Sequence, residues 1–142
     1  MDNQNNAAHS TANIYNPLIE AAKPVFILVN AMQQTTSQLS TDSLINKFSL
    51  LINNFEENAE KNGARYDAIQ AAKYCLCTFV DELAVRAGWA DETWSKNSLL
   101  VSFYDETWGG ERFFEIIQNL KQDPDKNIDL LEFMYLCLQF GY

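Results

Sequence analysis

The sequence predicts an all-α fold, and three observations carry that prediction. Apolar residues recur at helical spacing along most of the chain, helix-start and helix-stop residues punctuate those runs, and neither an Asn-Gly hairpin signal nor sustained period-two alternation occurs. Asn16-Pro17 reads as an N-cap followed by proline at the first helical position. Leu18, Ala21, Val25, Leu28 and Met32 follow on one face, and Pro24 inside the run should kink the helix or split it in two. Residues 33–40 form a Gln/Thr/Ser linker. From Thr41-Asp42 a second stripe, Leu44, Phe48, Leu51, Phe55 and Ala59, runs to a stop at Asn62-Gly63.

The third helix, from about Arg65 to Ala87, carries Ile69, Ala72, Leu76, Phe79 and Leu83, and Gly88 ends it. Between Tyr74 and Val85 it is apolar on nearly every side, which places it at the centre of several neighbours. A shorter helix bears Leu99, Leu100, Phe103 and Tyr104 and stops at Gly109-Gly110. Another spans Glu111 to Lys121 with Phe113, Phe114, Ile117 and Leu120. The last runs from about Lys126 to Gln139 with Ile128, Leu131, Met134, Tyr135 and Leu138. Six or so helices with short connections make a bundle. Residues 1–13 read as a flexible polar tail, and 14–142 as one helical domain. The tetrapeptide Asp-Glu-Thr-Trp occurs at 91–94 and 105–108. Each copy sits where a helix starts or ends, so the match is coincidence rather than a repeat architecture.

Composition narrows function by exclusion. The 19 Asp and Glu against 10 Lys and Arg give a net charge of −9, which disfavours nucleic acid and anionic membrane surfaces and suits a basic protein partner. Solubility alone accounts for the same charge. Cys75, Cys77 and Cys137 have no framework spacing, and the start of the chain has no signal-peptide pattern, which together point to the reducing cytosol. No run approaches the roughly 18 apolar residues of a membrane span. The sole histidine, His9, lies in the polar tail, so histidine-based catalysis and His-ligated metal sites are not expected. Cys75 and Cys77 point about 200° apart on one helix, unable to share a metal, and read as small hydrophobes. Gly109-Gly110-Glu111 lacks the lysine and hydroxyl of a phosphate loop and reads as a tight turn. No catalytic residue, cofactor or metal is expected.

Asp81 and Glu82 stand out, because they interrupt the most apolar helix of the chain. A carboxylate there must be paired, hydrogen-bonded or facing a groove. Glu82 has Arg86 four residues on, suited to an ion pair. Asp81 has no such neighbour, and needs Arg65, Arg112 or the free N–H groups of another helix, or else lines a cleft. An internal cap or ion pair and an acidic cleft for a basic partner both remain open. A catalytic role is disfavoured, since adjacent helical residues point about 100° apart.

These residues together resemble a family. Asn16-Pro17-Leu18 with its Pro-containing apolar run, Ala71 through Cys77 into Asp81-Glu82, Trp94, Ser98-Leu99-Leu100, Phe103-Tyr104, Gly109 through Phe114, Asp129 through Glu132 and Tyr135 through Leu138 occur in the order seen in TssL/DotU proteins. These are inner-membrane subunits of type VI and related type IVB secretion machines. The resemblance covers about residues 16–142 and implies two small helical bundles with a groove between them, hence six to eight helices in all. It implies a non-enzymatic adaptor on the cytoplasmic face of the bacterial inner membrane. The partners it implies are a TssM-like membrane protein and baseplate proteins such as TssK and TssE, with a homodimer conceivable for the full-length protein. It further implies an acidic groove that includes Asp81 and Glu82. The family continues into a C-terminal membrane anchor, whereas this sequence stops at Tyr142, so the reading is of a truncated soluble piece. On that reading Phe133, Leu136 and Phe140 lose part of their covering. The alternatives are a type IVB DotU subunit, or a soluble helical regulator that sequesters a basic protein.

Overall fold

The computed structural model describes residues 15–34 and 39–140. The predicted polar tail with His9 and the middle of the predicted linker lie outside these residues. Among the described residues seven helices follow in order: α1 (Pro17–Gln34), α2 (Thr41–Lys61), α3 (Tyr66–Arg86), α4 (Glu92–Asn97), α5 (Leu99–Tyr104), α6 (Gly110–Leu120) and α7 (Ile128–Gln139). Among the described residues there is no strand. The all-α expectation is met.

The predicted start of α1 is built by Asn16. Its side-chain oxygen accepts from the backbone N–H groups of Leu18 (3.0 Å) and Ile19 (3.2 Å), satisfying donors that a helix N-terminus leaves open. Its amide donates to the carbonyl of Asp129 (2.8 Å), so a 98%-buried cap also ties α1 to α7. Pro24 does not split α1. The proline and Glu20, whose carbonyl loses its helical partner, both lie on the exposed face, so water can take the orphaned acceptor.

The centre of the molecule is α3, which packs against α1, α2, α5, α6 and α7. Its residues from Tyr74 to Val80 are all buried, as an all-round apolar helix requires. With α1, α2 and α7 it closes a core in which Phe26, Phe55, Phe79 and Phe133 meet ring to ring. The separate helices α5 and α6 also lean on α3, while α4 bridges α2 and α5. Short α4 was not expected. Its cap is Asp91, which accepts from the Trp94 N–H (3.0 Å) and from the Thr41 hydroxyl (2.7 Å), joining the starts of α4 and α2.

The last described helix departs from expectation at Phe133. Phe133 is fully buried, and Phe140 stacks on Phe26 with ring centroids 4.9 Å apart. Leu136 is partly buried against the same core. Phe26 of α1 packs against both rings, and Leu136 and Phe140 stay only partly covered, as expected. All three cysteines are buried free thiols, and burial pushes each thiol well up from its usual range. Their role as small hydrophobes fits that burial.

Candidate protein-docking site

Asp81 and Glu82 leave α3 in different directions, and their surroundings differ accordingly. Asp81 reaches the start of α5. One carboxylate oxygen accepts from the Leu99 N–H (3.0 Å) and the Trp94 indole N–H (3.1 Å), and the other from the Leu100 N–H (2.9 Å). Of the partners left open by the sequence, free N–H groups of another helix are the ones it meets. Arg65 pairs instead with Asp67, and Arg112 with Glu106. Burial raises the Asp81 carboxyl from its ordinary value, and the Leu100 and Leu99 N–H groups, Trp94 and Ser98 pull partly against that rise. The α5 start is doubly capped, because the Ser98 hydroxyl also accepts from the Val101 N–H (3.2 Å).

Glu82 faces a groove. The groove is lined by Glu82, Trp108, Gly110, Glu111 and Phe114, and its volume is about 410 Å³. Among the described residues no hydrogen bond or ion pair engages Glu82, so the expected pair with Arg86 is not formed. The two acids that stand side by side in sequence therefore do different things. Asp81 is spent on holding α5, and Glu82 is presented outward.

The far wall of the groove depends on how the 105–110 segment is set. Asp105 ends α5 in the left-handed region (φ 56°), where Asp is among the few non-glycine residues tolerated. Glu106 then accepts from the Tyr74 hydroxyl (2.5 Å) and pairs with Arg112 (3.2 Å), whose guanidinium lies 4.5 Å from the centre of the Tyr74 ring. Burial and the Glu106 carboxylate push the Tyr74 hydroxyl up to about 12. Gly109 lies so close to Thr78 that a Cβ would collide with its hydroxyl oxygen, and would crowd Leu100 at 3.0 Å. Here glycine is required by close approach of α6 to α3, as the tight-turn reading of Gly109-Gly110 anticipated.

Sequence reasoning singled out Glu82 but missed Trp108 and Phe114. Trp108 sits in a tetrapeptide whose repetition carries no structural signal, and Phe114 falls in the apolar stripe of its helix. The available signal was Phe113-Phe114 itself, since two adjacent helical residues cannot both face one core. The structure buries Phe113 completely and leaves Phe114 half-exposed. Among the described residues no cluster of metal-ligating side chains occurs.

The profile of the family described as "Type VI secretion system protein DotU" matches residues 17–142. No match was found among the curated proteins. Among solved structures, TssL from Vibrio cholerae is 32% identical with a TM-score of 0.77, over 90% of this chain and 81% of that one. The cytoplasmic domain of TssL from Acinetobacter baumannii is 26% identical with a TM-score of 0.81, over 90% and 82%. SciP/TssL from enteroaggregative Escherichia coli 042, 19% identical with a TM-score of 0.78 over 89% and 74%, shares the fold. Among the described residues no helix is long and apolar enough to cross a membrane. By profile, fold and identity together, the chain belongs to the DotU family of type VI secretion system proteins.

Proposed function

We propose that this domain is a non-catalytic adaptor of the type VI membrane complex. It stands on the cytoplasmic face of the inner membrane, beside a TssM-like partner, and docks baseplate proteins such as TssK and TssE. The observation that carries the docking role is the division of labour at positions 81 and 82. A half-buried Asp81, hydrogen-bonded through both carboxylate oxygens, sets the frame, and a neighbouring Glu82 points into an open acidic groove. Family membership supplies the machine in which that groove would work. Net charge of −9 supports a basic contact surface on the partner.

The test separates the two acids. Glu82→Lys is expected to leave helical signal and melting temperature near wild type while lowering capture of baseplate proteins on the order of tenfold, as a charge reversal at a contact does. Quantitative pull-down with purified TssK and TssE reads the effect. Wild-type capture by a folded Glu82→Lys variant would remove this residue from the docking surface. Asp81→Lys cannot serve the same purpose, because it would place an ammonium against three N–H donors and disturb the fold first.

A further inference from the structure

Trp108 and Phe114 are the two aromatic residues that border the Glu82 groove, and they are 61% and 51% exposed. Neither position is loose. Trp108 lies within the segment pinned by Asp105, Glu106 and Gly109, and its indole rests on Gly110, where a Cβ would come within 2.7 Å of the ring. Phe114 sits one helical turn into α6, edge-on to buried Phe113 with ring centroids 5.6 Å apart. Rigid, half-open aromatic side chains have the properties of contact hot spots, because little conformational entropy is lost when they are covered.

A second depression adjoins the first and is lined by Glu111, Phe114, Glu115, Gln118 and Asn119. Glu111, Phe114, Glu115 and Gln118 follow the spacing i, i+3, i+4, i+7, so the combined groove runs along α6 for about 10 Å at 1.5 Å per residue. Its border carries three carboxylates, Glu82, Glu111 and Glu115, and neither depression is lined by a Lys or Arg. The nearest cations in sequence are Arg86 and Arg112, and Arg112 is engaged with Glu106 and Tyr74. Anionic lipid headgroups and nucleic acid phosphates would be repelled by this border. An elongated apolar strip with acidic edges matches the helix-in-groove mode of recognition.

We infer that this groove takes a basic amphipathic helix of a protein partner, with one large apolar side chain seated between Trp108 and Phe114 and Lys or Arg residues facing Glu82, Glu111 and Glu115. The inference rests on the docking role proposed above and adds the chemistry of the occupant. Apolar contact supplies the residence time, and the carboxylates set orientation and speed of encounter.

The experiment is an NMR titration of the ¹⁵N-labelled chain with three synthetic 18-residue peptides. The first is a Leu/Lys amphipathic helix, the second replaces its leucines by serine, and the third replaces its lysines by glutamate. The expected result is movement of the Trp108 indole N–H signal with the first peptide while the Trp94 indole N–H, held by Asp81, stays in place. Affinity should fall at least tenfold for the serine and glutamate peptides and for Trp108→Ala/Phe114→Ala. In Glu82→Gln/Glu111→Gln/Glu115→Gln it should lose most of its salt dependence. Equal binding of the serine peptide, equal binding of the glutamate peptide, or shifts that avoid Trp108 would each overturn the inference. Loss of baseplate capture in Glu82→Lys without peptide binding at Trp108 would leave the docking role standing and this occupant refuted. Peptide binding at Trp108 together with wild-type capture by Glu82→Lys and by Trp108→Ala/Phe114→Ala would refute the docking role instead.

Discussion

Asp81→Ala is expected to destabilise the domain by about 3 kcal/mol, a drop of roughly 10 °C in melting temperature. The substitution leaves the Leu99 and Leu100 N–H groups and the Trp94 indole N–H without their acceptor at the start of α5. Trp94 is 1% exposed, so water cannot simply replace the carboxylate at the indole. Asp81→Asn keeps one acceptor oxygen and should cost about half as much. Urea unfolding followed by circular dichroism measures both. A loss below about 1 kcal/mol for the alanine variant would show that α5 does not depend on this cap.

The same residue has a signed pH signature. Burial raises the folded-state carboxyl above its ordinary value, whereas the unfolded chain retains that ordinary value. Between the two, the folded protein holds the proton more tightly, so stability contributed at this site falls as pH rises through the window and levels off above it. The window opens at the ordinary aspartate range and extends upward to the raised value. The stability difference between wild type and Asp81→Asn should therefore shrink with rising pH across it. Taking the difference matters, because Glu56, lowered mainly by its hydrogen bond from Lys73, contributes with the opposite sign.

Phe133→Ala is the second large effect, expected to cost about 3–5 kcal/mol. The ring is fully buried, with Phe26 of α1 and Phe55 of α2 at centroid distances of 6.2 and 6.1 Å. Removing it opens a cavity where α1, α2 and α7 meet, and close-packed rings cannot collapse far to fill it. Half-exposed Phe114 provides the control, since its truncation should stay within about 1 kcal/mol. Comparable losses from the two variants would contradict the placement of Phe133 at the junction of three helices.

How much of this was legible in the sequence depends on whether the deciding interaction was local. Helices α1, α2, α3, α6 and α7 announce themselves because their stripes repeat every turn and their ends carry Asn16, Asn62-Gly63, Gly88 and Gly109-Gly110. Helix α4 is only six residues long, too short for a stripe. The repeated tetrapeptide shows the limit most clearly. In the first copy Asp91 is extended, caps α4 and buries Trp94. In the second Asp105 turns left-handed, ends α5 and leaves Trp108 outside. Four identical residues take opposite roles because the surrounding packing, not their own propensity, sets the backbone. For the same reason the partner of Asp81 could be named only as a class, since backbone N–H groups carry no side-chain signature.

The bond from Asn16 to the Asp129 carbonyl spans 113 residues. A ribosome adding about 5–20 residues per second needs roughly 6–23 s to cover that distance. Throughout that interval α1, with Phe26 and its other core-facing residues, has no α7 to close against. Among the described helices the first made packs on α2 at once but must wait for α7 before its core face is fully covered, which leaves part of that face open on the nascent chain.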